Sequence, residues 1–267
     1  MASRLSDADL DELAFLNFTE SLREFVRWSP GGVLEENGDT LRTRTSVDFA
    51  SGSFNAATHL GAGPVSPSDW LAEQVRWFSA HHRGFSVHTR DKLHDAIAAA
   101  CISAGFAPGA RPPVMSRRAP FMAPEALEGK QVRLAASLAD WQSFVDITAT
   151  SYVSMGFPEH ITRALMSSPS RMQRRVWHCA LASDGGIDSA AALALFSHSI
   201  AGLYWVGTLP RARNRGLAAA CVQFLTNHAF ELGARAVVLQ ASEAGAPLYR
   251  RLGFEEFTQY PMYVFKG

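Results

Sequence analysis

The spacing of apolar residues along the first 115 positions predicts helices alternating with short strands. Apolar residues three and four positions apart indicate a helix, whereas strict alternation indicates a strand. On these criteria the helices lie at residues 5–28, 70–80 and 91–104, and a strand lies at residues 85–89. Two short strand-like runs within residues 33–54 flank Asn37-Gly38-Asp39, which is typical of a β-hairpin.

The rest of the chain has a longer alternation of strands and helices. The predicted strands are residues 132–136, 176–182, 190–197, 200–208, 236–240 and 259–265. The predicted helices are residues 138–153, 158–166, 217–232 and 247–252. This order indicates an α/β protein of the α+β type, with a mostly antiparallel start to its sheet.

A proline-rich stretch separates these two parts of the chain. Residues 108–124 hold five prolines and three arginines. That composition is typical of a linker, or of an extended segment that crosses between two lobes. We therefore expect a first lobe at residues 1–115, a linker at 116–129 and a second domain at 130–267.

The composition narrows the class of protein. The 267 residues are 47% hydrophobic and 19% charged, and the 25 basic residues balance the 25 acidic ones. This argues against general nucleic-acid binding, which needs a basic surface. No apolar run is long enough to span a membrane, and the polar, acidic N-terminus is unlike a signal peptide. Cys101, Cys179 and Cys221 have no paired spacing, which predicts buried free thiols in a cytoplasmic protein.

The segment 208–218 joins a strand-like run to a helix-like run. It contains Arg211, Arg213 and Arg215, followed by Gly216. Backbone N–H groups at a helix start lack intrahelical partners, and the helix dipole adds positive charge there. Such a loop suits a phosphate-bearing ligand, although a solvated turn would show the same three arginines. A P-loop is excluded, because no Gly-Lys followed by Ser or Thr is present.

Three motifs follow one another in the second domain. Residues 205–208 read Trp-Val-Gly-Thr, residues 213–218 read Arg-Asn-Arg-Gly-Leu-Ala, and residues 246–254 read Ala-Pro-Leu-Tyr-Arg-Arg-Leu-Gly-Phe. In this order they resemble the fourth strand, the pyrophosphate loop and the Leu-Tyr-x-x-x-Gly-Phe signature of the GNAT superfamily of acyl-CoA-dependent N-acetyltransferases. The resemblance covers residues 129–267 and implies a mixed central sheet flanked by helices.

The resemblance also implies acetyl-CoA as the cosubstrate, with no metal. Gly216 and the small Ala218 would let backbone amides approach the pyrophosphate, and the arginines would add charge-assisted bonds. At Ser242 many relatives carry Asn, so fewer groups are available to bind the pantetheine. The residues that the resemblance assigns to the CoA site are Val206, Gly207, Thr208, Arg211, Arg213, Asn214, Arg215, Gly216, Leu217, Ala218 and Ser242.

Tyr249, in the last motif, is the candidate catalytic residue. In the family the matching tyrosine often protonates the departing CoA thiolate, which requires that its oxygen reach the sulfur. The alternative is a tyrosine packed at a helix–strand junction. No motif identifies the general base. His178, His198, Glu159 and Glu243 are candidates by position, and each could equally be a surface or structural residue.

The first lobe resembles a degraded copy of the same kind of unit. Residues 85–106 follow the outline of its rear part, but the arginine- and glycine-rich loop is missing, so no CoA site is expected here. The lobe could form a wall of the acceptor site or the interface of a homodimer. For His81, His82, His88 and His94 solvated or packed roles are expected, because no Cys or Glu completes a metal site.

The leading hypothesis is an N-acetyltransferase that moves an acetyl group from acetyl-CoA to a primary amine by direct attack. The alternatives are a non-catalytic acyl-CoA-binding or sensing protein on the same fold, and an interaction protein whose loop binds nothing. Fold does not fix the acceptor, which could be a small molecule or a peptide. Its contacts are expected from residues 152–175 and from the first lobe.

Overall fold

The structure is a computed structural model that describes residues 5–122 and 129–267. The first part of the chain forms α1 (Asp7–Trp28), β1 (Val33–Asn37), β2 (Thr40–Arg44), β3 (Asn55–His59), α2 (Pro67–Ala80), β4 (Phe85–His88), α3 (Asp95–Ser103), β5 (Ala107–Pro108) and β6 (Pro113–Arg117). None of the helices in the described residues is both long enough and apolar enough to cross a membrane.

The second part begins after the undescribed residues 123–128. Its elements are β7 (Lys130–Leu134), α4 (Leu138–Ser151), α5 (Glu159–Leu165), α6 (Pro169–Met172), β8 (Trp177–Asp184), β9 (Ile187–Ser197), β10 (Ile200–Thr208), α7 (Leu217–Glu231), β11 (Val237–Gln240), α8 (Ala246–Arg251), β12 (Glu255–Gln259) and β13 (Met262–Phe265). Short 3-10 turns follow α4 and β10, at Tyr152–Met155 and Pro210–Ala212.

Two mixed sheets organise these elements. The first has the order β1-β2-β3-β4-β13-β5, and the second has the order β12-β6-β11-β10-β9-β8-β7. Each has one parallel pair, β3 with β4 and β10 with β11, and a helix connects the two strands of that pair. The α/β prediction is confirmed, and the shared topology matches the expectation that the first lobe is a related unit.

The two sheets exchange a strand. β6 belongs by sequence to the first part of the chain, yet it lies between β11 and β12 of the second sheet. β13, at the other end of the chain, lies between β4 and β5 of the first sheet. Residues 116 and 117 of the expected linker are therefore strand, and residues 123–128 of it lie outside the described residues.

The strands of the structure differ from the predicted ones in several places. The single strand expected at residues 259–265 is two strands in different sheets, because Tyr260 and Pro261 interrupt it and proline has no N–H to donate. β3 was not predicted. β6 lies in the proline-rich stretch for which a linker or an extended segment crossing between two lobes is expected; it is an extended strand of the second sheet, and Pro113 is its first residue, a position that tolerates proline.

Helix α1 joins the two lobes. Its Asn17 is fully buried and donates its side-chain N–H to the carbonyl of Leu195 (3.0 Å) and to Ser197 Oγ (2.8 Å) of β9. Tyr204 of β10 donates to Asn17 Oδ1 at 2.9 Å. A Cβ at Gly202 would lie 2.0 Å from that oxygen, so glycine is what allows α1 to approach the second sheet this closely.

Candidate functional site

The central feature of the site is a gap between β10 and β11. These parallel strands are paired only at residues 201–203 of β10, whereas β10 continues to Thr208. Beyond Leu203 the β10 edge that faces β11 pairs with no other strand of residues 5–122 and 129–267. It borders a cleft of about 1890 Å³, which Val206, Gly207 and Thr208 line.

A β-bulge distorts β10 at the start of this gap. Its register with β9 shifts between Tyr204 and Gly207, and Trp205 has a left-handed backbone with φ of 52°. As a result, Tyr204 and Trp205 pack against the same apolar cluster beside α4, while Val206 packs on the opposite face of the sheet. In a regular strand, neighbours alternate between faces. The bulge therefore brings two consecutive rings to one side.

The loop after β10 ends in an uncapped helix start. Gly216, with φ of 79°, is the N-cap residue of α7, and no side chain caps the helix. Asn214 is also left-handed, with φ of 61°. Leu217 and Ala218 line the cleft with both of these residues. The unpaired N–H groups of the first turn thus border the cleft, where they and the helix dipole favour an anion.

The three arginines of the loop have different surroundings. Arg213 lines the cleft and donates to the carbonyl of Ser151 (3.2 Å) and to Ser154 Oγ (2.9 Å). Arg215 pairs with Asp184 at 2.6 Å. Arg211 is exposed and has no ion pair within residues 5–122 and 129–267. Neither Arg211 nor Arg215 lines the cleft, so their contact with a cofactor stays a prediction, as it does for Arg213.

Gly207 lets α4 pack closely against the open edge of β10. A Cβ at this position would lie 2.2 Å from Ser151 Oγ and 3.2 Å from Ser151 Cβ. The end of α4 is thereby held against β10, and the bond from Arg213 to the Ser151 carbonyl ties the loop to the same point. Gly207 and Arg213 together fix the width of this end of the cleft.

Tyr249 lies on α8 across the gap from β10. It is 8% exposed, it lines the cleft, and no hydrogen bond of its hydroxyl is found within the described residues. Burial raises its pKa, so the phenol stays protonated at neutral pH. Ser242 also lines the cleft, and its Oγ accepts from the N–H of Gly245 at 3.1 Å. That bond shapes the turn that begins α8.

Two polar side chains in the cleft lack partners. Thr208 Oγ1 and Gln240 Nε2 are both buried, and neither has a hydrogen bond among the described residues. Unsatisfied buried polar groups are costly; because protein atoms already enclose these two atoms, a ligand in the cleft would reach them only after their side chains turned. Gln240 was missed by the sequence reasoning, because no local pattern shows which residues will border a gap between strands. Tyr152, which also lines the cleft, is the first residue of the segment 152–175 from which acceptor contacts are expected.

Of the four candidate bases, only Glu243 lines the cleft. Glu159 pairs with Arg163 at 2.8 Å. His178 Nδ1 lies 2.8 Å from His228 Nε2, and His198 lies in the turn between β9 and β10. The structure therefore does not bring these four together.

Of the four histidines considered in the first lobe, His88 and His94 are buried, whereas His81 is half-buried and His82 is exposed. His88 Nε2 lies 3.2 Å from the carbonyl of Gly52, and His94 Nε2 lies 2.8 Å from that of Gly61. Burial lowers the pKa of His88 to about 4 and also lowers that of His94. No group of three or more potential metal ligands occurs within the described residues. All three cysteines are buried free thiols, as predicted.

Comparison with known proteins agrees with this architecture. Residues 156–254 match the family model described as the acetyltransferase (GNAT) family. The gap between β10 and β11, the uncapped helix start and α8 all lie wholly or largely within that range. This part of the chain is a GNAT-family domain. No curated protein matches the sequence significantly.

Several solved structures are similar over most of the chain. A GCN5-related N-acetyltransferase from Kribbella flavida is 22% identical with a TM-score of 0.74, and 95% of each chain is covered. One from Sphaerobacter thermophilus is 18% identical with a TM-score of 0.62, covering 87% of this chain and 82% of that one. A tandem GNAT protein from the clavulanic acid biosynthesis pathway is 12% identical with a TM-score of 0.57, covering 98% and 97%. These likenesses concern the fold alone, and the last agrees with two related lobes.

Proposed function

We propose that the chain is an acyl-CoA-dependent N-acetyltransferase that transfers an acetyl group from acetyl-CoA to a primary amine by direct attack. The carrying observation is that one cleft contains an unpaired strand edge, an uncapped helix start and a buried, protonated tyrosine. The GNAT-family match over residues 156–254 supports acetyl transfer as the reaction that this combination of features serves.

The residues present fit acetyl-CoA. Its pyrophosphate would lie at the start of α7, where Gly216 leaves the backbone amides uncovered. Its pantetheine carries amide groups, which suit the open backbone of Val206–Thr208 in the cleft. Arg211 would add positive charge outside the cleft, where it attracts the phosphates at longer range, whereas Arg215 would contribute only by exchanging its ion pair with Asp184 for a phosphate.

The reaction needs a neutral amine and a proton for the leaving thiolate. The amine nitrogen attacks the thioester carbonyl, a C–N bond forms, and the C–S bond breaks. Tyr249 donates its phenolic proton to the sulfur, and the proton released by the nitrogen restores the phenol. The raised pKa of Tyr249 keeps it in the acid form that this step requires. Glu243, in the cleft, is the candidate to take the first proton, from the ammonium form of the acceptor before attack, and to pass it to solvent; the second proton, released by the nitrogen after attack, is the one that restores Tyr249.

The test is free-thiol release from acetyl-CoA over a panel of primary amines. Tyr249→Phe should lower kcat by roughly 10²–10⁴-fold, the usual contribution of general acid catalysis, with acetyl-CoA binding unchanged. Tyr263→Phe is the matched control, because Tyr263 is also buried but does not line the cleft. An unaltered kcat in Tyr249→Phe would refute the acid role. Calorimetric binding of acetyl-CoA without turnover on any amine would favour the non-catalytic alternative.

A further inference from the structure

Five aromatic side chains line one part of the cleft. They are Phe25, Phe54, Tyr152, Phe157 and Trp205, and we call them the aromatic wall. The ring centroids are 4.8 Å apart for Tyr152 and Trp205, 5.6 Å for Phe54 and Phe157, and 5.9 Å for Phe25 and Trp205. These separations are typical of packed aromatic pairs; Tyr152, Phe157 and Trp205 are half-buried and present the surface of the wall, while Phe25 and Phe54 are buried behind them.

The backbone of β10 is distorted in a way that builds this wall. Trp205 would face away from Tyr204 in a regular strand, but the bulge turns both to the side of α4. The left-handed conformation of Trp205 is unfavourable for a residue other than glycine, and such strain persists only where surrounding contacts enforce it. Contacts with Phe25, Phe54 and Tyr152 do so here.

The aromatic wall adjoins the proposed reaction centre. Trp205 is followed in the chain by Val206 of the unpaired β10 edge, and both line the same cleft as Tyr249. Tyr249 lies close enough to Tyr152 to contribute, after burial, to raising the pKa of the Tyr152 phenol. A group bound on the wall would therefore hold an attached amine near Tyr249. Two members of the wall, Phe25 and Phe54, come from the first lobe.

The charges in the cleft are distributed unevenly. Among the described lining residues, the carboxylates are Glu243 and Glu256, and both lie in the chain beyond β11. The first part of the chain contributes no carboxylate to the described lining; its polar lining groups are three serines, His88, Arg111 and, on β6, Arg117. His88 is uncharged at neutral pH, since its pKa is lowered to about 4 by burial. A polycationic acceptor would find no negative charge beside the wall.

We propose that the acceptor is an aromatic primary amine, with its ring against the aromatic wall and its nitrogen directed towards Tyr249. The inference rests on the proposed function and deepens it. An aromatic ring gains from burial on apolar surface and from ring–ring contacts. A polyamine or aminoglycoside would instead lose the hydration of several charges without compensation.

The test compares kcat/KM for three probe amines with the intact chain, using thiol release from acetyl-CoA. The probes are 2-phenylethylamine, n-butylamine and spermidine. We expect 2-phenylethylamine to exceed each of the others by about tenfold or more, the scale on which apolar pockets discriminate. A preference for spermidine would overturn the inference while leaving the proposed function intact. Failure to acetylate any amine would overturn both.

Variants of the wall separate recognition from folding. Trp205→Gly suits the left-handed backbone, but loss of the packed ring leaves a cavity that destabilises the fold, so its urea midpoint is measured alongside; under conditions where it is folded it should abolish most of the preference for 2-phenylethylamine over n-butylamine. Phe157→Leu should act in the same direction. Phe49→Leu is the matched control, because Phe49 contacts Phe54 and Phe157 but does not line the cleft. An unchanged preference in both wall variants would refute the inference.

A gain-of-function variant tests the charge argument separately. Ser53 lines the cleft, is half-buried, and directly precedes Phe54 of the aromatic wall. Ser53→Asp would place a carboxylate beside the aromatic wall, and we expect it to raise kcat/KM for spermidine relative to n-butylamine. Ser53→Asn is the matched neutral control. The inference would be contradicted if the neutral variant produced the same gain, since the missing carboxylate would then not be the reason that spermidine is a poor acceptor.

Discussion

The contact between Gly207 and Ser151 gives a prediction that can be worked from distances. In Gly207→Ala the new methyl group would lie 2.2 Å from Ser151 Oγ, whereas non-bonded heavy atoms prefer roughly 3.5 Å. The overlap exceeds about 1 Å, so either α4 or β10 must move. Gly207 has an ordinary negative-φ backbone, since it is not among the left-handed residues. Steric conflict is therefore the main cost, about 1–3 kcal/mol for an overpacked position.

Ser151→Ala isolates that conflict. Alone, it removes a hydrogen bond from Ser151 Oγ to the Thr148 carbonyl at 3.2 Å, worth about 0.5–1.5 kcal/mol. In the double variant only the 3.2 Å contact with the residue 151 Cβ remains, which a small shift relieves. We expect the double variant to be more stable than the sum of the single effects predicts, by about 1–2 kcal/mol.

The assay is a double-mutant cycle on the midpoint of urea unfolding, followed by tryptophan fluorescence. The same variants should differ in KM for acetyl-CoA, because Arg213 binds the Ser151 carbonyl and displacement of α4 would loosen the loop. KM should rise in Gly207→Ala and recover in the double variant. Strictly additive stabilities, or a Gly207→Ala variant as stable as the wild type, would refute the reasoning.

Two further predictions concern the loop and the first lobe. Arg213→Ala should raise KM for acetyl-CoA about three- to tenfold by releasing the loop from α4, since each hydrogen bond is worth about 1 kcal/mol. Arg76→Ala is the matched control, because Arg76 is exposed on α2. An equal KM in the two variants would contradict the reasoning. For His88 the folded pKa of about 4 lies below the ordinary 6.5, so the stability it contributes is present above pH 6.5 and is lost as pH falls through about 4. That loss of stability is about 3 kcal/mol. Between pH 7 and pH 4 the urea midpoint should therefore fall less steeply in His88→Gln than in the wild type. Equal falls in the two proteins would contradict the assigned pKa.

The sequence predicted the parts of the site that depend on local backbone geometry. Gly216 after a strand and before a helix implies an open helix start, and the structure has one. Local order does not specify which residues face each other across a cleft. The aromatic wall combines α1, the segment before β3, the end of α4 and a bulge in β10, and no periodicity connects these. The bulge in β10 could not be predicted from the sequence, because tryptophan strongly favours ordinary strand geometry.

The strand exchange explains why the two lobes cannot be considered separately in function. β12, which continues the chain after α8, does not pair with β11; β6 from the first part of the chain lies between them. Arg117 at the end of β6 donates to the carbonyl of Leu252 at 3.0 Å, where α8 ends. The helix that carries Tyr249 is thus held partly by a strand encoded before residue 118. Since Phe25 and Phe54 also reach the cleft from the first lobe, that lobe supports both the proposed acid and the proposed acceptor surface, although it lacks a phosphate loop of its own.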